Sequence, residues 1–332
     1  MKKVFEFKKY RTFDQTIDAT FKVFKLFIKP VLLHFWKHHK ILTVAYFVVT
    51  FLYNYYASFN FDPEVIINNT PVKNENSLNS SLITLAFFIL SFVFYIKFSL
   101  TVFGFIKSYI IHKGEFVEEE ITALVSNKFW TFVGASFFLG FLLFLLTIGA
   151  IFAYAFMAVL GNVIGIFVGM FFLLIYFIYL LLLVNIYYYL ITEDVDVVKA
   201  FSMSMGYIKY RFWYSIVSMG VIVLVVMLIS VLLNYPLIIW LYGKFILAVE
   251  SQQYDPNAKG NVLLSAYLTL SAMGDIVLRV LSILGSIVIF YSIHEARTSE
   301  GMLEKIDLIG KETSETKETP GNSENNEIKK EH

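Results

Sequence analysis

Cysteine is absent from this 332-residue chain. Its absence excludes disulfides, thiol catalysis and Cys-ligated zinc or iron–sulfur centres together. Charge is scarce as well: Asp, Glu, Lys and Arg make up 16% of residues, against roughly 25% in a soluble domain. Between Lys128 and Glu193 there is none for 64 residues. The net charge of +1 provides no field for nucleic acid, so none is expected as a partner. Phosphate loops, nucleophile elbows and His-Glu-x-x-His are missing too. No catalytic residue, cofactor site or enzyme activity is therefore assigned. The start, Met1-Lys2-Lys3, has no apolar stretch before Lys8, Lys9 and Arg11, so no cleavable signal peptide is expected.

What is present is apolar surface, with 58% hydrophobic and 18% aromatic residues. A hydrocarbon layer about 30 Å thick needs only about 20 helical residues to cross. The uncharged run after Lys128 must therefore cross and return, with Gly161-Asn162 as the turn. The expected fold class is all-α, a polytopic membrane bundle of six transmembrane helices. The first span runs from Ile41 to about Ser58, and the second from near Leu82 to about Ile106. The third and fourth are Phe129–Leu160 and Val163–Ile191. The fifth starts near Trp213 and should end before Pro236, whose ring interrupts the hydrogen-bond ladder. The sixth begins between Leu263 and Val277 and ends at Ile293. The domain plan is an amphipathic helix within 1–30, the membrane domain 31–293, a second amphipathic helix in 294–310 and a disordered tail over 311–332.

Orientation follows from Lys and Arg. Ten fall in the first 40 residues, and Lys113, Lys128, Lys199, Lys209, Arg211, Arg297, Lys305 and Lys311 follow on the same side. The opposite side has only Lys73, Lys244 and Lys259, so both termini are expected in the cytoplasm. The loop Asn60–Ser81 carries two glycosylation-like sequons, at Asn68 and Asn79. Such matches arise easily in a polar loop.

Each odd-numbered span follows an amphipathic segment and a Phe-Trp pair: Phe35-Trp36, Phe129-Trp130 and Phe212-Trp213. Before the first pair, Phe13, Ile17, Phe21, Phe24, Ile28 and Leu32 recur at helical spacing, opposite Asp14, Asp18, Lys22, Lys25 and Lys29. Thr12 and Gln15 have capping-box spacing, and Pro30 should end or kink the run. Val117, Ile121, Leu124 and Val125 form the middle copy. Val198, Phe201, Met205, Ile208 and Phe212 form the third, with Thr192 able to cap it. A threefold repeat of helix pairs follows from this pattern. The amphipathic helices either anchor the bundle at the headgroups, with Trp36, Trp130 and Trp213 as belt residues, or form a collar for lipid or a partner.

Other features have a structural and a functional reading. Gly161, Gly165 and Gly169 line one helix face, suited to close packing within the bundle or across a homodimer seam. Ser136, Gly140, Ser282 and Ser286 can supply matching small faces. Lys97 lies well inside a span, at about the depth of Asn185. It either snorkels to the headgroups or meets Asn185 along a polar path. Asp275 and Arg279 have the spacing of an ion pair at the outer end of the sixth span. His34, His38 and His39 include an i,i+4 pair, but no Glu or Cys accompanies them in sequence and Lys37 and Lys40 repel cations. No metal site is assigned there.

The stretch Glu193-Asp194-Val195, Ala200-Phe201, Ser204, Ile208-Lys209 and Phe212-Trp213 resembles the loop before the fifth helix of a family of uncharacterised bacterial six-helix membrane proteins. That family is akin to the membrane domain attached to some glycerophosphodiester phosphodiesterases. Glu295, Gly301-Met302-Leu303 and Ile306 to Gly310 resemble the end of such chains. The resemblance implies a bacterial inner membrane location and transfers no catalytic residue. The expectation is a non-enzymatic scaffold or regulatory subunit of a membrane complex, in contact with lipids and a membrane protein partner. The alternative is a carrier of small solutes or lipids, with Lys97 and Asn185 at its site.

Overall fold

The computed structural model describes residues 4–59, 77–160, 162–251 and 260–299, with Leu303 and Ile306 beyond them. Among these residues every regular element is an α-helix and no strand occurs. In chain order the helices are α1 (Phe13–Phe59), α2 (Ser77–Ile111), α3 (Glu118–Asn127), α4 (Phe129–Leu160), α5 (Asn162–Thr192), α6 (Val197–Tyr210), α7 (Phe212–Ser251) and α8 (Gly260–Thr298). Five are long and apolar enough to cross a membrane, over Ser81–Ile111, Phe129–Ile151, Leu174–Thr192, Phe212–Pro236 and Val262–Thr298. The chain thus has the make-up of a multi-pass membrane protein. Gly161, residues 60–76 of the sequon loop with Asn68, the tail and most of 300–310 lie outside the described residues, whereas the second sequon, Asn79-Ser80-Ser81, falls at the start of α2 and not in a loop.

The first amphipathic segment and the first expected span are one helix, α1. Pro30 does not end it; the dihedrals break instead at His39, with φ −127° and ψ 28°. Comparable breaks precede α4 at Lys128 (φ −95°, ψ 0°) and α7 at Arg211 (φ −133°, ψ 57°). α7 likewise passes through Pro236. A proline removes one ladder bond and crowds the preceding turn, and neighbouring helices can satisfy the freed carbonyls. Pro236 leaves the Leu232 carbonyl without its ladder donor, and in the same turn the Leu233 carbonyl accepts from the Tyr267 hydroxyl of α8. At the start of α1 the Gln15 amide oxygen accepts from the Thr12 N–H at 3.3 Å, while the Thr12 hydroxyl turns to Asp14. Thr192 does not cap α6. It closes α5, donating to the Tyr188 carbonyl at 2.9 Å, and Asp196 takes the cap position.

α8 is the hub, packed against α1, α7, α5, α2 and α6. Its most apolar stretch is 83% buried, against 17% for that of α2 or α4. The helix faces that meet other helices are narrower and less greasy than the hydrophobic periodicity suggests. In α1 the deepest line is Thr16, Ala19, Thr20, Val23, Phe27 and Val31, with Ile17, Phe24, Ile28 and Leu32 flanking it. In α6 it is Ala200, Ser204 and Ile208, whereas Val198 is exposed. Small residues let backbones approach, so in such bundles they mark the contact line. The Thr and Ser hydroxyls add no unsatisfied polar group: Thr20 and Ser204 donate to the carbonyls of Thr16 and Ala200.

The first half of α1, α3 and α6 gather with residues 4–12 at one end of the bundle. Ser292 of α8 accepts from the Arg11 N–H and donates to its carbonyl, each at 3.1 Å. The buried Arg11 guanidinium donates to the carbonyls of Phe7, Lys9 and Glu6. Lys128 pairs with Asp194, and Lys37 with Glu118. At the other end α1, α2, α4 and α7 present Val44, Val48, Leu85, Phe88, Phe141, Phe144, Leu228 and Leu232 outward. Trp36, Trp130 and Trp213 are all exposed.

Candidate functional site: an arginine cavity between apolar helices

Arg279 sits near the middle of the apolar stretch Val262–Thr298. It does not pair with Asp275: among the described residues no carboxylate lies within salt-bridge distance of it, and Asp275 instead hydrogen-bonds Ser230. The i,i+4 spacing permits a pair, but the Arg279 side chain turns inward. Its guanidinium stacks on Tyr95 of α2, 4.6 Å from the ring centroid.

It lines a cavity of about 230 Å³ shared by α2, α4, α5 and α8. Polar groups in the wall are Tyr95 and Ser99 from α2, Ser136 from α4, and Tyr179 and Tyr187 from α5. Tyr187 and Ser136 hydroxyls lie 2.5 Å apart, and Tyr95 meets the Tyr46 hydroxyl at 3.0 Å. Tyr187 also stacks on Phe132 with centroids 4.4 Å apart, which fixes its ring. Phe92 and Gly140, both exposed, stand at the cavity's edge on the seam between α2 and α4. The site is therefore a cation in a low-dielectric wall of phenols and serines, opening onto an apolar outer surface. Attraction for an anion is stronger there than at a water-exposed site.

The expected Lys97–Asn185 pair is not formed. The Lys97 ammonium reaches the Phe129 ring at 5.8 Å from its centroid, as a snorkelling lysine does. Asn185 is buried and its Oδ1 has no hydrogen-bond partner among the described residues. Equal depth in sequence does not by itself bring two side chains together, because each points in a direction set by its own helix. Of the three glycines expected to pack, Gly169 is placed in open space. A Cβ at Gly169 would meet nothing within 4 Å, and the same holds at Gly140. Close approaches between helices occur at Gly285, against Ile222 and Thr20, at Gly274, against Leu233, and at Gly104, against Ile121. Ser286, by contrast, is buried and donates to the Met219 sulfur.

The histidines acquire the carboxylate that sequence spacing denied them. His34, His38 and Glu118 place one ligand atom each within 4.8 Å of one another. Glu118 comes from the first turn of α3, more than 80 positions along the chain, so no local motif announces it. Burial, then the neighbouring His38, holds the His34 imidazole down to about 4. Burial, then Lys97, holds His39 to about 4. Below pH 6.5 the unfolded chain takes up protons that these folded imidazoles refuse until about 4. Stability is thus fully present above 6.5 and declines as pH falls across that window. Thermal melts in detergent should drop between pH about 7 and about 5, and less so in His39→Asn. An unchanged melting temperature over that range contradicts this assignment.

No family model matches the chain, and no curated protein or solved structure matches it either.

Proposed function

We propose that this chain crosses the membrane six times, with both termini in the cytoplasm, and handles an anionic lipid in the Arg279 cavity. The second half of α1 supplies the sixth crossing beside the five long apolar helices. The unit is used three times: an amphipathic helix, a break at a basic residue, an outgoing span and a returning one. The breaks at His39, Lys128 and Arg211 support that repeat. The resemblance noted for residues 193–213 favours a bacterial inner membrane.

The observation that carries the function is Arg279, without a carboxylate partner among the described residues, facing a lined cavity. A charge in the apolar part of a membrane protein is costly and is found where it has a partner or a task. The edge of the cavity at Phe92 and Gly140 favours entry from lipid, hence an amphiphile whose phosphate or carboxylate meets the guanidinium. A carrier of this kind is the reading the geometry supports better than a scaffold. The scaffold reading drew on free amphipathic surfaces, whereas Val23, Phe27, Ile121, Val125, Ala200 and Ile208 are already buried in the bundle. The test is lipid analysis of the detergent-purified protein. One anionic lipid should co-purify with the wild type and be lost from Arg279→Met. Equal lipid content in the two, or enrichment of zwitterionic lipid alone, contradicts the proposal.

A further inference from the structure

The histidine cluster at the charged end lies on residues that take no part in the Arg279 cavity. His34 and His38 lie one helical turn apart on α1, with ring centroids 4.3 Å apart. His34 is 4% exposed and its Nδ1 is buried with no hydrogen-bond partner among the described residues. An imidazole nitrogen enclosed in this way loses its water without replacement. The Nε2 of His38 is 3.9 Å from the Glu118 carboxylate. We propose that His34, His38 and Glu118 bind a divalent cation of the zinc type, tying α1 to α3.

Two imidazoles and one carboxylate, with no thiolate, suit Zn²⁺ and its first-row neighbours rather than Ca²⁺ or Mg²⁺, which take oxygen ligands. Zinc–nitrogen bonds of about 2.0–2.1 Å place tetrahedral ligand atoms about 3.3 Å apart. The separations here are all within 4.8 Å, so none needs to close by more than about 1.5 Å. His38 and Glu118 can supply that movement, because their side chains are 29% and 54% exposed. Burial keeps His34 neutral at pH 7, the form that offers a lone pair. Lys37 competes, with its ammonium 2.6 Å from the Glu118 carboxylate. That pair is exposed on both sides and contributes little, so a cation can displace it. Beside His38 and Glu118 a groove of about 590 Å³ is lined by Lys37, Glu119, Thr122 and Ser126 as well. It leaves a fourth coordination position open to water or a small ligand.

The test uses the full chain, free of any histidine tag, purified in detergent and titrated with Zn²⁺. Co²⁺ serves as a parallel probe through its visible absorption. The wild type should bind one equivalent. His38→Ala and Glu118→Gln, both at exposed positions, should each weaken binding by upwards of about 100-fold, more than loss of an outer-shell partner costs. Lys37→Met should tighten it, a change that structural damage would not produce. Failure of the wild type to bind one equivalent, or equal affinity in all four proteins, overturns the site.

Discussion

Arg279→Met should fold, melt at the same temperature as the wild type or higher, and lose its bound anionic lipid. The two halves of that expectation have separate causes. The guanidinium carries a desolvation cost that no carboxylate among the described residues offsets, since its neighbours are the phenols of Tyr95, Tyr187 and Tyr46. Replacing such a buried charge with an apolar side chain of similar length removes that cost and leaves no unpaired ion behind. The ligand, in contrast, loses two charge-assisted hydrogen bonds worth about 1.5–3 kcal/mol each, a weakening on the order of 100-fold or more. Arg279→Lys should fall between the two, because it keeps the charge and loses the planar fork. Calorimetry with an anionic and a zwitterionic lipid would separate these cases. Retained affinity in Arg279→Met, or a collapse of its stability, contradicts the role given to Arg279.

Gly285→Leu should be the most damaging single change in the bundle. Even a Cβ at this position would lie 2.6 Å from Ile222 Cδ1 and 3.1 Å from Thr20 Cγ2. α1, α7 and α8 meet there, so α8 cannot shift away from one neighbour without pressing on the other. Overpacking of this kind costs about 1–3 kcal/mol and occasionally more, and the four side-chain carbons that leucine adds place it at the upper end. Gly169→Ala and Gly140→Ala are the controls. Both glycines lie in open space, so alanine should stabilise their helices by about 0.5–1 kcal/mol. Thermal melts in one detergent would rank the three. A Gly285 variant as stable as the Gly169 variant shows that the helices do not meet at Gly285.

The apolar helices were legible because solvent-like lipid selects for long uncharged runs, and one such run holds both α4, which ends at Leu160, and α5, which begins at Asn162. The charged face of the first amphipathic segment, Asp14 to Lys29, is likewise exposed as its period required. What the sequence concealed was which face meets which. Hydrophobicity does not separate lipid from protein here, so Phe13 and Val198 share the apolar period yet are exposed, while Ala19 and Ala200 are buried. The prolines misled because partners such as Tyr267 lie far away in sequence. The site was hidden for a similar reason. Arg279 had a suitable partner four residues away, and only the rotation of α8 shows that it turns to Tyr95 instead. Glu118 completes the histidine cluster from another helix, which spacing within α1 cannot reveal.

The proposed six-crossing topology can be measured directly, because the chain has no cysteine of its own. Single cysteines at Ser202, exposed on α6, and at Lys73 would be probed in intact cells with a membrane-impermeant thiol reagent. The account predicts labelling at position 73 and protection at position 202 until the membrane is opened. Labelling of position 202 in sealed cells, or of both positions together, would contradict it.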